Sequence, residues 1–458
     1  MDIILFLSLF TLFTFIYLTI GWIASQHITT MNDYFLANRS LGVTKVTFTL
    51  IATQLGGALL LGTSQEAYEK GLYGILLTIG MVLGFLLLGC GLAPRLRSLN
   101  VVTTAELFET KYHSSTLKKI ASTLSITTMS GLLISQIVGS KLLLNNIAFM
   151  NEFLFIIFWC SIIFYTVIGG FNAVVLTDIF QVLLIITTFG GIFLYSIYHD
   201  PLSLTDLITA QKNFNTPFSM RNMLAPILMP ALFSLIEQDL AQRFFAARTK
   251  RIAFLSAFGS SIIILLFSFI PIYFGMKARL LALDIPLGYS PLLPVLKTMV
   301  NDFFLALALC SIIAAITSTA DSLLCAISSN LAQDFDFSFF GESPLKHAQY
   351  ITAFIGIICL IFSYLMPPNM IIIILNSLEL SVSCLLIPLL FCYFAQQVKK
   401  SAAIGSMIGG LIGFIVFRIW IPNFARELIT LLLSLIGYGI GNFIKVNSPT
   451  TMKNENIR

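Results

Sequence analysis

Long apolar runs separated by short polar breaks organise the whole chain. Runs of about 20 apolar residues have the length that crosses a bilayer as a helix. We predict thirteen such spans, near 3–24, 44–64, 73–93, 120–148, 152–170, 174–198, 223–243, 252–276, 301–332, 348–367, 370–396, 402–420 and 427–444. No long linker separates them. The pattern therefore predicts an all-α polytopic membrane protein in which residues 1–458 form a single membrane domain.

Two of the spans are less regular than the others. The second span carries Gln54 beside Gly56-Gly57, and the seventh combines Pro226 and Pro230 with the acidic residues Glu237 and Asp239. Backbone groups freed from a helix at membrane depth are tolerated where they line a cavity. The glycine pair could instead be a helix-packing face, and Pro230 a simple kink. Because the two spans lie five apart, the pairing favours an inverted-repeat transporter.

The composition supports a membrane protein and excludes several other classes. Of the residues, 57% are hydrophobic and 10% charged, whereas a soluble domain has about 25% charged residues. Mean hydropathy is +0.93. These values exclude a disordered chain, a nucleic-acid binder and a secreted disulfide scaffold. The seven cysteines lie within apolar runs in no zinc-ligand pattern, so we expect them to be buried small hydrophobes.

The positive charges predict an orientation. With the N-terminus outside, seventeen of the twenty-six Lys and Arg residues fall in inside segments. Such a bias is typical of the cytoplasmic side. We therefore expect a multi-pass protein of the plasma (inner) membrane, with the N-terminus outside and the C-terminus in the cytoplasm. The basic cluster Arg243 to Arg251 is expected at the cytoplasmic surface, near lipid headgroups.

The ninth span has the densest group of polar residues. On a helix, Ser318, Asp321 and Ser322 share one face, and Ala315 could offer a backbone carbonyl beside Ser318. Hydroxyl, carbonyl and carboxylate oxygens suit a small hard cation. Hydroxyls can also bond back to their own helix, and the carboxylate could belong to an internal salt bridge. Because a carboxylate within the membrane is costly unless it is partnered, Asp321 favours a cation site.

The same span resembles a known family. Ala314–Asp334 (AAITSTADSLLCAISSNLAQD) is similar to the cation-binding helix of the sodium:solute symporter family, which includes sodium-coupled proline, sugar, sialate and pantothenate carriers. Four further stretches resemble the family in the same order, and together the resemblance covers roughly residues 30 to 400. They are Asp33–Gly42 (DYFLANRSLG), Tyr68–Gly74 (YEKGLYG), Gly169–Gln181 (GGFNAVVLTDIFQ) and Gln238–Arg251 (QDLAQRFFAARTKR).

The resemblance implies a LeuT-type fold with five-plus-five inverted repeats. Residues 44–198 would form the first repeat and 223–396 the second, with an extra N-terminal helix at 3–24 and two extra C-terminal helices at 402–444. It also implies sodium-coupled symport of a small polar organic solute (an amino acid, sugar or carboxylate) by alternating access, and not an enzyme. A proton-coupled or uncoupled carrier of the same fold, and a membrane solute sensor, remain alternatives.

Residues for the cations follow from the same resemblance. The principal sodium ion, the co-transported cofactor, would bind the carbonyls of Ala52, Leu55 and Ala315 and the hydroxyls of Ser318 and Thr319. Some members bind a second sodium ion. In this chain that second cation site would comprise Asp178, Asp321 and Ser322.

The resemblance also implies that the solute binds between the second and seventh spans, against the fourth and eleventh. Residues predicted near it are Gln54, Gly56, Gln136, Glu237 and Gln238. Glu237 could receive a substrate amine or be held by Arg243. Gln54 stands where the proline carriers have an acid, which makes proline a less expected solute. The partners implied are the solute, the sodium ion and the lipid bilayer, with no nucleic acid. The sequence indicates no oligomeric state.

Overall fold

The structure is a computed structural model. It describes residues 2–26, 28–99, 101–145, 151–200, 211, 220–286, 289–336, 343–366, 370–420 and 426–444. This part of the chain is almost entirely helical and contains no β-strand. Its one extended pairing is an isolated parallel bridge between Leu41 and Ala247.

The first half of the chain contains both short and long helices. They are α1 (Ile3–Ser25), α2 (Met31–Leu36), α3 (Val43–Gln54), α4 (Thr63–Lys70), α5 (Ile75–Leu87), α6 (Ala93–Ser98), α7 (Glu106–Tyr112), α8 (Ser115–Asn145) and α9 (Glu152–His199). A π-helical turn, Ala58–Gly62, leads into α4, and another, Leu88–Leu92, joins α5 to α6.

The second half repeats this mixture of short and long helices. They are α10 (Met220–Ser234), α11 (Gln238–Ala246), α12 (Lys250–Leu280), α13 (Leu292–Met299), α14 (Asp302–Asp334), α15 (Pro344–Ser363), α16 (Met370–Phe394), α17 (Lys400–Trp420) and α18 (Arg426–Phe443). Side-chain caps mark several starts. Asn301 accepts a hydrogen bond from the N–H of Phe304 at the start of α14, and Thr249 accepts one from Ile252 at α12.

The polytopic helical fold is confirmed, whereas the count of thirteen spans is not. Within the described residues, nine helical runs are long and apolar enough to cross a membrane, and the apolar helix near the C-terminus is shorter. Two of the nine exceed one crossing: 58–98 has 41 residues and α9 has 48. At 1.5 Å per residue, α9 is about 72 Å long, more than twice a bilayer core of about 30 Å. Each run contains one glycine at positive φ, Gly71 or Gly170, where the chain changes direction.

Gly170 shows why the chain can turn within α9. Its φ of 49° and ψ of −150° lie in a region that only glycine adopts readily. A Cβ atom there would lie 2.5 Å from the carbonyl oxygen of Tyr34. The Tyr34 hydroxyl donates to the carbonyl of Val167 at 3.0 Å and to Thr352 Oγ1 at 3.1 Å. A carbonyl freed by the turn is therefore satisfied inside the protein, as the bilayer requires.

α14 occupies the centre of the bundle. In its most apolar stretch 78% of the residues are buried, against 11% in α1. It packs against α3, α8 and α9. Alanine and serine dominate its middle turns, and small side chains let neighbouring backbones approach closely in a membrane. The polar residues in the middle turns of α14 are therefore surrounded by protein.

Both predicted interruptions are present in the structure. α3 ends at Gln54 and helical structure resumes at Gly57, while α10 ends at Ser234 and α11 begins at Gln238. The second interruption lies after the prolines, not at them, because α10 continues through Pro226 and Pro230. The Ser234 hydroxyl donates to the Pro230 carbonyl at 2.8 Å, close to the point where the helix stops.

Candidate functional site

Carbonyl and hydroxyl oxygens meet where α3 ends against α14. The Ser318 hydroxyl donates to the carbonyl of Ala52 at 3.1 Å and to that of Ala315 at 3.0 Å. The Thr319 hydroxyl donates to the carbonyl of Thr53 at 3.2 Å and to that of Ala315 at 3.3 Å. Two hydroxyls of α14 therefore donate hydrogen bonds to carbonyls at the C-terminal end of α3. The structure brings four of the five predicted sodium ligands together here.

The interruption after α3 is pressed directly against these hydroxyls. A Cβ atom on Gly56 would lie 2.3 Å from Thr319 Oγ1 and 3.6 Å from the Ala315 carbonyl. Leu55, the fifth predicted ligand, is fully buried immediately before this glycine. Gly56 is therefore required for close approach of the two backbones. That contact explains the glycine at this position without any contact to solute.

This donor set has the chemistry of an alkali-cation site. A hydroxyl oxygen keeps two lone pairs and rotates about its C–O bond, so Ser318 and Thr319 can turn from donating to a carbonyl to accepting a cation. The described residues contain no group of three His, Cys, Asp or Glu that could hold a transition metal. Neutral oxygens at the end of a broken helix suit a singly charged hard ion that must later be released.

Of the three residues predicted for a second cation, two share one arginine as a partner and the third has partners of its own. Asp321 Oδ2 accepts a hydrogen bond from the Tyr165 hydroxyl at 2.6 Å and one from Thr177 at 3.4 Å. Asp178 Oδ2 accepts from the hydroxyl of Thr49 and pairs with an arginine. The same arginine donates to Ser322.

That arginine is Arg243, which the sequence assigns to the cytoplasmic surface. The structure places its side chain fully inside the protein, with 0% exposure, so this expectation is wrong for Arg243. Arg248, Lys250 and Arg251 of the same cluster are exposed. The exposed basic cluster therefore begins at Arg248, because Arg243 has a buried carboxylate as partner. The alternative that Arg243 holds Glu237 is not what the structure shows, since its ion pair is with Asp178.

The predicted solute residues fall into two groups. In the part of the chain that the structure describes, the first group has no hydrogen bond that assigns it another role. Gln54 is the last residue of α3 and is partly exposed, and Glu237 lies at the second interruption with 8% exposure. Gln136 is buried on α8, and its Oε1 accepts no hydrogen bond within the described residues. Gln238 is instead engaged with the segment before α7. Its Oε1 accepts from the N–H of Thr104 at 2.7 Å, and its Nε2 donates to the Val102 carbonyl at 3.1 Å. Gln238 therefore has a local structural role.

Several residues that complete the buried network were not predicted from the sequence. Thr49, Tyr165 and Thr177 each donate to one of the two carboxylates. Gln181 donates to Thr317 on α14 at 3.1 Å. The burial of Arg243 could have been predicted, because a carboxylate such as Asp178 in the middle of a span requires a basic partner.

A bundle of long apolar helices with two interrupted helices and oxygen donors at one interruption defines a secondary transporter of LeuT-type fold. The sequence profile of the sodium:solute symporter family matches residues 34–413. This chain therefore belongs to the sodium:solute symporter family. It is a membrane transporter, not an enzyme, and its activity is sodium-coupled symport of a small solute, with Na⁺ as the co-transported ion.

Individual proteins similar to this chain are also sodium-coupled symporters. The chain is 26% identical over 451 residues to the sodium/pantothenate symporter of Escherichia coli K12, covering 92% of each. It is 26% identical over 357 residues to the sodium/proline symporter of Haemophilus influenzae, covering 71% of this chain and 70% of that protein. A solved Na⁺-coupled sialic acid symporter superposes with a TM-score of 0.81 at 17% identity, covering 96% and 98% of the two chains. This last likeness confirms the fold.

Proposed function

We propose that the transported sodium ion binds the carbonyls of Ala52, Leu55 and Ala315 and the hydroxyls of Ser318 and Thr319. The observation that carries this proposal is the set of hydrogen bonds joining both hydroxyls to carbonyls at the end of α3. A cation at this junction would replace those hydrogen bonds with ion–oxygen contacts. It would thereby fix the interrupted segment against α14.

The solute binds next to this ion, between the two interrupted helices. Gln54 directly precedes Leu55, so ordering the segment for sodium also orders the amide that would contact the solute. Gln136 and Glu237 are the other polar groups that we propose for solute binding. Sodium then raises solute affinity, and by linkage the solute raises sodium affinity by the same factor. Rocking of the two repeats, 44–198 and 223–396, about this site would expose it first outside and then inside.

The sodium gradient is sufficient to drive accumulation. One charge entering down a potential of about 100 mV releases about 2.3 kcal/mol. A tenfold sodium gradient adds about 1.4 kcal/mol. One ion per neutral solute therefore supports roughly 500-fold accumulation.

We propose a small polar organic solute, with carboxylates as the first class to test. The N-terminal end of a half-helix carries partial positive charge, which favours an anionic group. α11 begins at Gln238 beside Glu237, so one end of the site also presents an acid to a substrate amine or hydroxyl. Amino acids and hydroxy acids fit both features.

A thermal-shift screen of the purified protein tests this function. Pantothenate, proline and sialic acid come first, because the relatives transport them, followed by sugars and other amino acids. We expect the matching solute to raise the melting temperature in sodium chloride but not in choline chloride. The sodium chloride and choline chloride arms share chloride and ionic strength. Equal stabilisation in both salts would contradict sodium coupling and favour a proton-coupled or uncoupled carrier.

We also propose that the protein lies in the plasma (inner) membrane with the N-terminus outside and the C-terminus in the cytoplasm. Without the buried Arg243, sixteen Lys and Arg residues still fall in the inside segments, against nine in the outside segments. A fluorescent protein fused after Arg458 is expected to fluoresce, and alkaline phosphatase there to be inactive. Fusions after Asp200, which follows six predicted spans, are the control and should show the opposite pattern. The same result at both positions would contradict the proposed orientation.

A further inference from the structure

Arg243 is surrounded by oxygen atoms from four helices. Its Nε donates to the carbonyl and the hydroxyl of Thr49, both at 3.1 Å. One terminal nitrogen donates to the Asp239 carbonyl at 2.7 Å. The other donates to Ser322 Oγ at 2.5 Å and pairs with Asp178 Oδ2 at 3.4 Å. These partners lie on α3, α11, α14 and α9, so the guanidinium is at a junction of the bundle.

Two of these partners belong to the second cation site that the family resemblance implies. Asp178 supplies one of the two carboxylates of that site, and Ser322 supplies its hydroxyl. In this chain both are already bonded to a positive charge. The Cζ atom of Arg243 also lies 5.7 Å from the centroid of the Phe171 ring, which adds a cation–π contact.

We propose that the guanidinium of Arg243 is a resident cation in place of a second sodium ion, so that the chain binds and transports one sodium ion per solute. The inference rests on the proposed sodium site at Ser318 and Thr319 and concerns only the number of ions. Arginine remains charged at any physiological pH and is covalently attached. It therefore neutralises Asp178 in every state of the transport cycle without moving a charge across the membrane.

A charge inside the membrane requires an opposite charge and hydrogen bonds for its donors. The contacts with Thr49, Asp239, Asp178 and Ser322 provide both. A sodium ion entering this position would have to displace all of them.

The remaining carboxylate, Asp321, lies outside this cluster of contacts. It accepts from Tyr165 and Thr177 and has no hydrogen bond to Arg243. One oxygen of Asp178 and one of Asp321 accept no hydrogen bond within the described residues. A second sodium ion could bind these two oxygens. A test of the proposal must therefore count the bound sodium ions.

Equilibrium binding of ²²Na⁺ to the purified full-length protein tests the proposal, with sodium alone as the probe. We expect one saturable ion per protein, and complete loss of saturable binding in Ser318→Ala/Thr319→Ala. Saturable binding that persists in this double variant would reveal a second site and overturn the proposal. No saturable binding in the unaltered protein would overturn the proposed sodium site itself, which is a distinguishable failure.

Substituting the arginine provides the second arm. In Arg243→Gln the carboxylate of Asp178 becomes available, and we expect two saturable sodium ions per protein. In Asp178→Asn/Arg243→Gln, which removes both charges, the number is expected to return to one. A monodisperse Arg243→Gln protein that still binds one ion would overturn the proposal. If Arg243→Gln does not fold, the unaltered protein and the charge-neutral double variant still decide, since two ions in either would contradict it.

Discussion

Alanine at both Ser318 and Thr319 is expected to abolish activation by sodium while leaving a folded protein. A hydrogen bond or ligand contact to a charged group contributes about 1.5–3 kcal/mol. Two lost ligands therefore raise the sodium concentration for half-maximal solute binding by about 100-fold or more. The measurement is the sodium dependence of solute-induced thermal stabilisation, with the solute identified by the screen.

Ser311→Ala/Ser328→Ala is the matched control. Both residues are buried serines of α14 whose hydroxyls donate to the carbonyl four residues earlier in the same helix. This variant removes two hydroxyls from α14 without touching the end of α3, so its sodium dependence should match that of the unaltered protein. Sodium activation that survives alanine at Ser318 and Thr319 would contradict the assignment. Equal loss in the control would show a general effect on α14.

The sequence predicts the position of the first helix interruption but not that of the second. Gly56-Gly57 marks the first correctly, because glycine there permits the contact with Thr319. The prolines indicate the second span but not the position of its break. Helical structure passes through Pro226 and Pro230 and stops only after Ser234. A proline removes just the hydrogen bond from its own nitrogen to the carbonyl four residues earlier, and membrane helices tolerate this loss. Local composition therefore identifies an irregular span better than it locates the irregular residue.

The position of Arg243 could not be read from its neighbours in sequence. It precedes Arg248 and Lys250, and a run of basic residues ordinarily lies at the cytoplasmic surface. Its partner Asp178 lies 65 residues away in sequence, on α9. The two meet because α11 and α9 both pack against α3 and α14. Gln238 is the converse case. Its place beside the second interruption suggests solute contact, yet its amide binds Thr104 and Val102.

By contrast, the carbonyl–hydroxyl cluster follows from spacing and family resemblance together. Ser318 and Thr319 can reach the end of α3 because helical periodicity places them on the face of α14 that packs there. Periodicity alone also puts Asp321 on the same side as Ser318, but the two diverge. Asp321 turns toward Tyr165 of α9. One helical turn is enough to direct neighbouring polar residues to different helices.

Gly170→Ala is expected to reduce stability strongly, because the turn within α9 depends on this glycine. A non-glycine residue at such backbone angles costs about 1–3 kcal/mol. The added methyl group would also lie 2.5 Å from the Tyr34 carbonyl, so α2 would have to shift. That shift weakens the hydrogen bonds from Tyr34 to Val167 and Thr352. We expect a melting temperature lower by several degrees, measured by size-exclusion chromatography of heated, detergent-solubilised protein.

Gly190→Ala provides the matched control on the same helix. A Cβ atom at Gly190 meets nothing within 4 Å, and its φ is not positive. Alanine is favoured over glycine inside a helix by about 1 kcal/mol, so this variant should be as stable as the unaltered protein or slightly more stable. Because both variants add one methyl group to α9, their difference isolates the backbone requirement at Gly170. Equal melting temperatures would mean that α9 can straighten, and that the packing of Tyr34 does not depend on the turn.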